Sequence, residues 1–433
     1  MCPTPTDRPT DAPRALSVAA PAEPAAETLA QARRRILPFF RTRRDLIRWS
    51  DVSDYADRAF AGVDELRRAA LIWGSAAVIH TTEKALDSVV KVSLRTDDSN
   101  GEIGGLAGTL LALHAELCNA APPKTATLVT WLIDFTFDCT QDYFEPDVAD
   151  YADALGTPGL ALLSERLDAF EAALPPQTKD WDTTRSMIAH YRERIAVAGG
   201  DTFAVVAAFG ELTRSYRVHD LAKALVEVGA VDSALAYAER ATLLETSRQA
   251  EQAGRYWCEL LREYKPHEAE LAARRLVFER WPSAKNALSL AETTDAPDSI
   301  VAWSSIAEEV YARLETQHPH EVITTLLGRG LPERAWTAAE RLTTDAGLWT
   351  TLVAAREKTE PAVVVPVLIR LIQTDLEVAK PHNYTSAVRR LKQLRKALIA
   401  TDAADQFPII MAELRDDHYR RPTLLQAFDR AGF

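Results

Sequence analysis

The chain has 433 residues, 47% of them hydrophobic and 26% charged, which is enough apolar matter to bury a core in two or three domains and too much for a disordered polymer. Its formal charge of -12 and pI near 5.4 argue against wholesale coating of nucleic acid, whose phosphates such a net field repels, and leave only local basic patches open. Glycine occurs just 17 times while Ala, Leu, Arg and Glu recur, residues that lose little entropy in a helix, so an almost all-α protein is expected.

Residues 1–27, "MCPTPTDRPTDAPRALSVAAPAEPAAE", lack the basic start and compact apolar core of a signal peptide, and their prolines interrupt any helix. They read as a disordered tail on a cytoplasmic protein. No run approaches the roughly 18 apolar residues needed to span a bilayer, so no membrane partner is expected. Next come seven arginines, Arg33, Arg34, Arg35, Arg41, Arg43, Arg44 and Arg48, around Ile36, Leu37, Phe39 and Phe40, which are expected to dock on the body. In "DVSDYADRAFAGVDELRRAALIW", Tyr55, Phe60, Val63 and Leu66 mark a helical stripe, with Asp51 or Ser53 as its cap. A second helix is expected from Ser75 to Leu94, because Ala85, Val89 and Val92 share a face.

The stretch "RTDDSNGEIGGL" from Arg95 raises the question of a calcium or phosphate site. An EF-hand loop with Gly101 sixth puts Thr96 first and Ala107 twelfth, where carboxylates are required, and a phosphate loop lacks its lysine. The stretch therefore reads as a turn at Asn100-Gly101 with an Asp or Ser cap on the helix that follows. That helix stops at Pro122 and Pro123. "TATLVTWLIDFTF" is β-branched, but nothing nearby offers a partner strand, so it too reads as helix. Asp134, Asp138, Asp142, Glu145 and Asp147 follow among aromatics. They are candidates for acid-base or magnesium chemistry, or else form a solvated stripe with Trp131, Phe135 and Phe137 turned toward other helices.

Pro175 and Pro176 are expected to separate an N-terminal helical domain, 28–175, from a repeat domain, 176–433. In the latter, "HDLAKALVEVGAVDSALAYAERAT" from His219 and "HEVITTLLGRGLPERAWTAAERLT" from His320 align without a gap. Leu225 matches Leu326, Gly229 matches Gly330, and Ala234 and Ala238 match Ala335 and Ala339. Each copy reads as a helix, a left-handed glycine stop and a second helix packed through small alanines. A looser copy places Ala269 and Ala273 in the alanine positions, and a degenerate one falls near Ala302, which suits a period of about 34 residues. The expected architecture is a tetratricopeptide-like α-solenoid with an N-terminal helical bundle.

Catalytic spacing is missing. HExxH begins at His267-Glu268 and at His320-Glu321 but meets Leu271 and Thr324, and His318 with His320 flank a proline in a linker position. Cys2, Cys118, Cys139 and Cys258 form no CxC or CxxC pair, as in a reduced cytosolic chain without structural zinc. Trp303 and Trp336 read as core. No catalytic, cofactor or metal residue is assigned. In "RRLKQLRKAL", Arg389, Arg390, Lys392, Arg395 and Lys396 lie opposite Val388, Leu391, Leu394 and Leu398. Arg41, Arg43, Arg44, Arg389, Arg390 and Arg395 are the candidate partner-binding residues, against the plainer reading of ordinary wet helix faces.

The order of "DYADRAFAGVDELRRA", "DDSNGEIGGL", "YADALGTPGLALL", "EVGAVDSALAYAER", "RRLKQLRKAL" and "MAELRDDHYRRPTLLQAFDRAGF" resembles the helical region that accompanies SWIM zinc fingers in bacterial proteins, over residues 32–433. The finger itself, CxC followed by CxH, is absent. What the resemblance implies is the repeat scaffold without any nucleic-acid role that belongs to the finger. The expected function is a non-enzymatic scaffold or adaptor for another protein in the bacterial cytoplasm. The alternatives are a nucleic-acid-associated protein acting through the arginine-rich helices, and an enzyme with a site built from dispersed residues.

Overall fold

The computed structural model describes residues 27–138, 144–177, 182–297 and 299–433. The tail residues 1–26, with Cys2, and Cys139 and Asp142 lie outside these. The described chain is all-α and forms two compact units that divide between Gly210 and Glu211. The division expected at Pro175 and Pro176 is thereby moved. Arg185 donates to the Pro175 carbonyl at 2.8 Å, Arg192 pairs with Asp168 at 2.7 Å and Glu171 at 2.8 Å, and Tyr191 is fully buried in the first core. These links hold the helix after the prolines to the one before them.

The first unit comprises α1 (Leu29–Ile36), α2 (Trp49–Trp73), α3 (Ser75–Ser93), α4 (Glu102–Ala120), α5 (Thr125–Ile133), α6 (Ala152–Ala173), α7 (Thr183–Gly199) and α8 (Thr202–Ala208). Ile36 and Phe40 are buried and dock as expected, while Leu37 and Phe39 are partly covered. On α2 the buried face is Tyr55, Ala59, Val63 and Leu66. Phe60 falls a residue off that line, about 100° round the helix, and is 38% exposed. Neither Asp51 nor Ser53 caps α2, which starts at Trp49 without a side-chain cap; Ser53 instead donates to Glu102 at 2.8 Å. The β-branched α5 is a helix and widens into a π segment over Asp134–Asp138, which disturbs the regular helical face that a solvated acidic stripe needs.

The turn between α3 and α4 forms as the residues suggest. Gly101 adopts φ +75°, and the Asp98 carboxylate accepts from the backbone N–H groups of Ile103 and Gly104, each at 2.9 Å. This turn also carries a parallel β bridge, the only one among the described residues. Leu46 N–H donates to the Arg95 carbonyl at 3.0 Å, and Asp97 N–H donates to the Leu46 carbonyl at 2.9 Å. The arginine-rich connection before α2 is thereby laid beside the end of α3.

The second unit is a stack of helical hairpins: α9 (Ser215–Glu227), α10 (Val231–Leu244), α11 (Arg248–Tyr264), α12 (His267–Arg280), α13 (Ala284–Thr294), α14 (Trp303–Gln317), α15 (Pro319–Gly328), α16 (Pro332–Leu342), α17 (Ala346–Arg356), α18 (Pro361–Glu377), α19 (Pro381–Ala400), α20 (Gln406–Asp417) and α21 (Pro422–Ala431). First helices of successive hairpins also touch, α9 with α11, α13 with α15, α15 with α17 and α19 with α21. Such stacking buries a continuous core that no single hairpin closes alone.

Gly229 and Gly330 are left-handed, at φ +77° and +69°. Each following residue returns its N–H to the helix, Ala230 to Leu225 at 2.8 Å and Leu331 to Leu326 at 2.9 Å. The hydrogen-bond pattern is therefore the same in both copies and satisfies carbonyls left open at the helix end. Ala234, Ala238, Ala335 and Ala339 are fully buried. The looser copy turns on Lys265-Pro266 without glycine, and Ala273 is buried where Ala269 is half-buried. The degenerate copy is shifted: Ala302 stands before α14 as its exposed cap, and Ala307 is the alanine buried in that helix.

Candidate interaction surfaces

In the second unit, α14 and α16 both pack on α15 and leave an open groove of about 430 Å³ between them. Val322 and Leu326 of α15 form its floor, and Tyr311 and Ala338 its walls. Two ion pairs span its mouth. Arg334 reaches Glu308 at 3.0 Å with its guanidinium 5.1 Å from the Tyr311 ring centre, and Arg341 forks onto Glu315. Each helix contributes residues seven apart, two turns along one face, so the pairs form a ladder. Arg341 holds the Glu315 carboxyl below the usual range, since its hydrogen bond favours the charged form. All four side chains are at least 35% exposed, and such pairs are weak enough to be exchanged for a partner's groups.

The candidate arginines do not behave as one set. On α19, Arg389 and Arg395 are exposed, the latter 5.7 Å from the Phe407 ring centre. Arg390 is a correction. It is buried, ion-paired to Asp375 at 2.8 Å, and donates to the Leu371 carbonyl and the Thr350 hydroxyl at 3.0 Å each. Its position a turn before Leu394 and beside Leu391 places it toward α18, so it is a strut between helices and not part of the wet face.

In the first unit, Arg41, Arg43 and Arg44 are exposed. Arg41 and Arg43 line a cleft of about 710 Å³ together with Lys91 and Arg95 from the end of α3. Arg41 also borders a smaller hollow of about 260 Å³ with Arg34 and Lys84. The contribution of α3 is invisible in the linear sequence, because only the tertiary fold, through the Leu46–Thr96 bridge and the bond from Arg95 to the Thr42 carbonyl at 3.0 Å, brings the two segments together.

The sequence also gave no sign of a buried polar cluster in the first unit. His114 is fully buried on α4, its ring centre 4.0 Å from that of Trp131. Its Nδ1 is 3.1 Å from the Tyr151 hydroxyl, its Nε2 3.6 Å from the Glu83 carboxylate, and the Cys118 Sγ stands 3.7 Å from Nε2. The residue types are those of a nucleophile, base and acid, but burial pushes the Cys118 thiol up to about 12, far from the thiolate that attacks. His114 instead holds the Glu83 carboxyl below its usual value by hydrogen bonding.

Among the acidic candidates, Asp147 caps the short helix that follows, accepting from Ala149 N–H at 2.9 Å, and forks onto Arg194 at 2.7 and 2.8 Å. Phe137 packs on Phe170 and Tyr191, and Trp131 on His114 and Tyr151, as expected of side chains turned toward other helices. Trp303 and Trp336 are core. No group of three His, Cys, Asp or Glu is placed to hold a metal among the described residues, and no helix there is long and apolar enough to cross a membrane.

No family model matches the chain, and no curated protein matches it. Among solved structures, a circular tandem repeat protein with novel repeat topology and enhanced subunit contact surfaces is similar at 14% identity, over 94% of this chain and 84% of that one. The TM-score is 0.15, and a likeness of that size carries no argument about this chain.

Proposed function

We propose that the protein is a non-enzymatic scaffold of the bacterial cytoplasm that binds another protein through the groove of its hairpin stack. The observation that carries this reading is the groove between α14 and α16, where an apolar floor of Val322 and Leu326 lies beneath exchangeable Arg–Glu pairs. Preformed helices recognise a partner without an ordering cost, and a few aromatic or arginine anchors supply most of the affinity. Arg334 and Arg341, two turns apart on α16 and both exposed, are those anchors. The resemblance of the segment order to the helical region beside SWIM zinc fingers fits the same role. The reading is tested by isolating complexes from the native host with the wild-type chain and with Arg334→Glu/Arg341→Glu, both at exposed positions. One protein recovered in near-stoichiometric yield with the wild type and lost with the variant supports it. Equal recovery with both, or none with either, refutes it.

A further inference from the structure

The connection from Arg41 to Trp49 carries a second surface, independent of the groove. Ile47 is 74% and Trp49 68% exposed, and Leu94, across the Leu46–Thr96 bridge, is 51% exposed. Large apolar side chains in such positions lose free energy to water unless something covers them. Beside them is the cleft lined by Arg41, Arg43, Lys91 and Arg95, whose lining contains no carboxylate. At its edge Asp45 meets Arg95 at 3.7 Å, and Asp87 stands one turn before Lys91 on α3. Arg41, Arg43, Arg44, Arg48 and Lys91 have no ion pair among the described residues. In a chain of net charge -12, this concentration of unpaired cations is a local reversal of sign.

We propose that this face binds the surface of an anionic phospholipid bilayer. Headgroup phosphates enter the cleft between Arg41, Arg43, Lys91 and Arg95, and Ile47 and Trp49 dip into the boundary between headgroups and acyl chains. Tryptophan has an apolar body and a polar edge that suit this depth, and arginines beside it stay in reach of phosphate. A single-stranded nucleic acid offers the same phosphates and a base to stack on Trp49, but it has no use for Ile47 and Leu94. Such association lies on the bilayer and requires no spanning helix, so it departs from the expectation of no membrane partner while leaving the helix lengths as they are.

The test is flotation of the full chain with phosphatidylcholine vesicles, with and without about 30% phosphatidylserine, a content that sets up the attractive surface potential. The wild type is expected to float only with the anionic vesicles and to be released by about 0.5 M salt, which shortens the screening length. Arg43→Glu/Arg44→Glu is expected to weaken partitioning at least about tenfold. Ile47→Ser/Trp49→Ser, which leaves the charge unchanged, is expected to weaken it several-fold. These residues are exposed, and unchanged helical circular dichroism confirms that the variants fold. Absence of flotation, wild-type flotation of the Ile47/Trp49 variant, or binding of a single-stranded oligonucleotide without the vesicles each overturns the proposal.

Discussion

Gly62 and Gly330 show two different demands on a glycine, one hidden in the sequence and one visible. At Gly330 a Cβ would touch nothing, so Gly330→Ala is penalised only for its left-handed φ of +69°. A loss of about 1 kcal/mol is expected in urea unfolding of the second unit. At Gly62 a Cβ would stand 2.6 Å from the Phe39 Cβ and 2.8 Å from the Phe40 ring. Gly62→Ala is therefore expected to cost about 1–3 kcal/mol by overpacking, despite the better helix propensity of alanine. Gly330 was legible because a stop after a helical rhythm is local information. Gly62 was not, since only the tertiary fold brings Phe39 and Phe40 onto α2. The cluster around His114 escaped for the same reason, its members coming from α3, α4 and the turn before α6. The lowered Glu83 carboxyl carries a pH signature. Because its folded value lies below its unfolded one, its contribution is present above the unfolded value of 4.5 and is lost as pH falls through the folded value. Thermal melts between pH 6 and about 3 are expected to decline less steeply for Glu83→Gln than for the wild type.

Among the helices, those with a face of constant period were readable and those defined by their neighbours were not. The rhythm of Ala85, Val89 and Val92 located α3, and the alanines located α10 and α16, because burial on one face imposes the helical repeat on the sequence. On α19 the same reasoning assigned Arg390 to the wet side, when it fills a polar niche between Thr350, Leu371 and Asp375. A charged residue facing inward is chosen by a partner helix that the local pattern does not contain. Burial pushes Asp375 up even though Arg390 stands against it. Arg390→Ala is expected to destabilise the second unit by about 3–5 kcal/mol by stranding that carboxylate, and Arg390→Met/Asp375→Leu to recover most of the loss. Denaturation of the single and double variants measures both. If Arg390→Ala melts as the wild type does, the strut assignment is wrong.

The described chain forms two compact helical units, and the sequence located the character of each better than the division between them. Prolines at 175 and 176 looked like a boundary because proline ends helices, yet a chain can turn at proline and fold back onto the same core, as α7 does on α6. A fragment of residues 211–433 is expected to melt cooperatively as an all-helical species, whereas one of 176–433 carries α7 and α8 without the core that Tyr191 enters and is expected to be more readily proteolysed ahead of residue 211. The interaction surfaces were half legible. Runs of arginine announced Arg41 and Arg43, but Lys91 and Arg95 joined them through tertiary contacts between distant segments, and the groove of the second unit needed the splay of α14 and α16 about α15. The most direct measurement of the scaffold claim is photo-crosslinking in the native host from a benzoylphenylalanine placed at Thr337, on the groove, and in parallel at the exposed Glu413 on α20. One discrete protein adduct from position 337 and none from position 413 is the predicted result. The same adducts from both positions, or none from either, contradict the claim that this stack of hairpins exists to hold another protein in its groove.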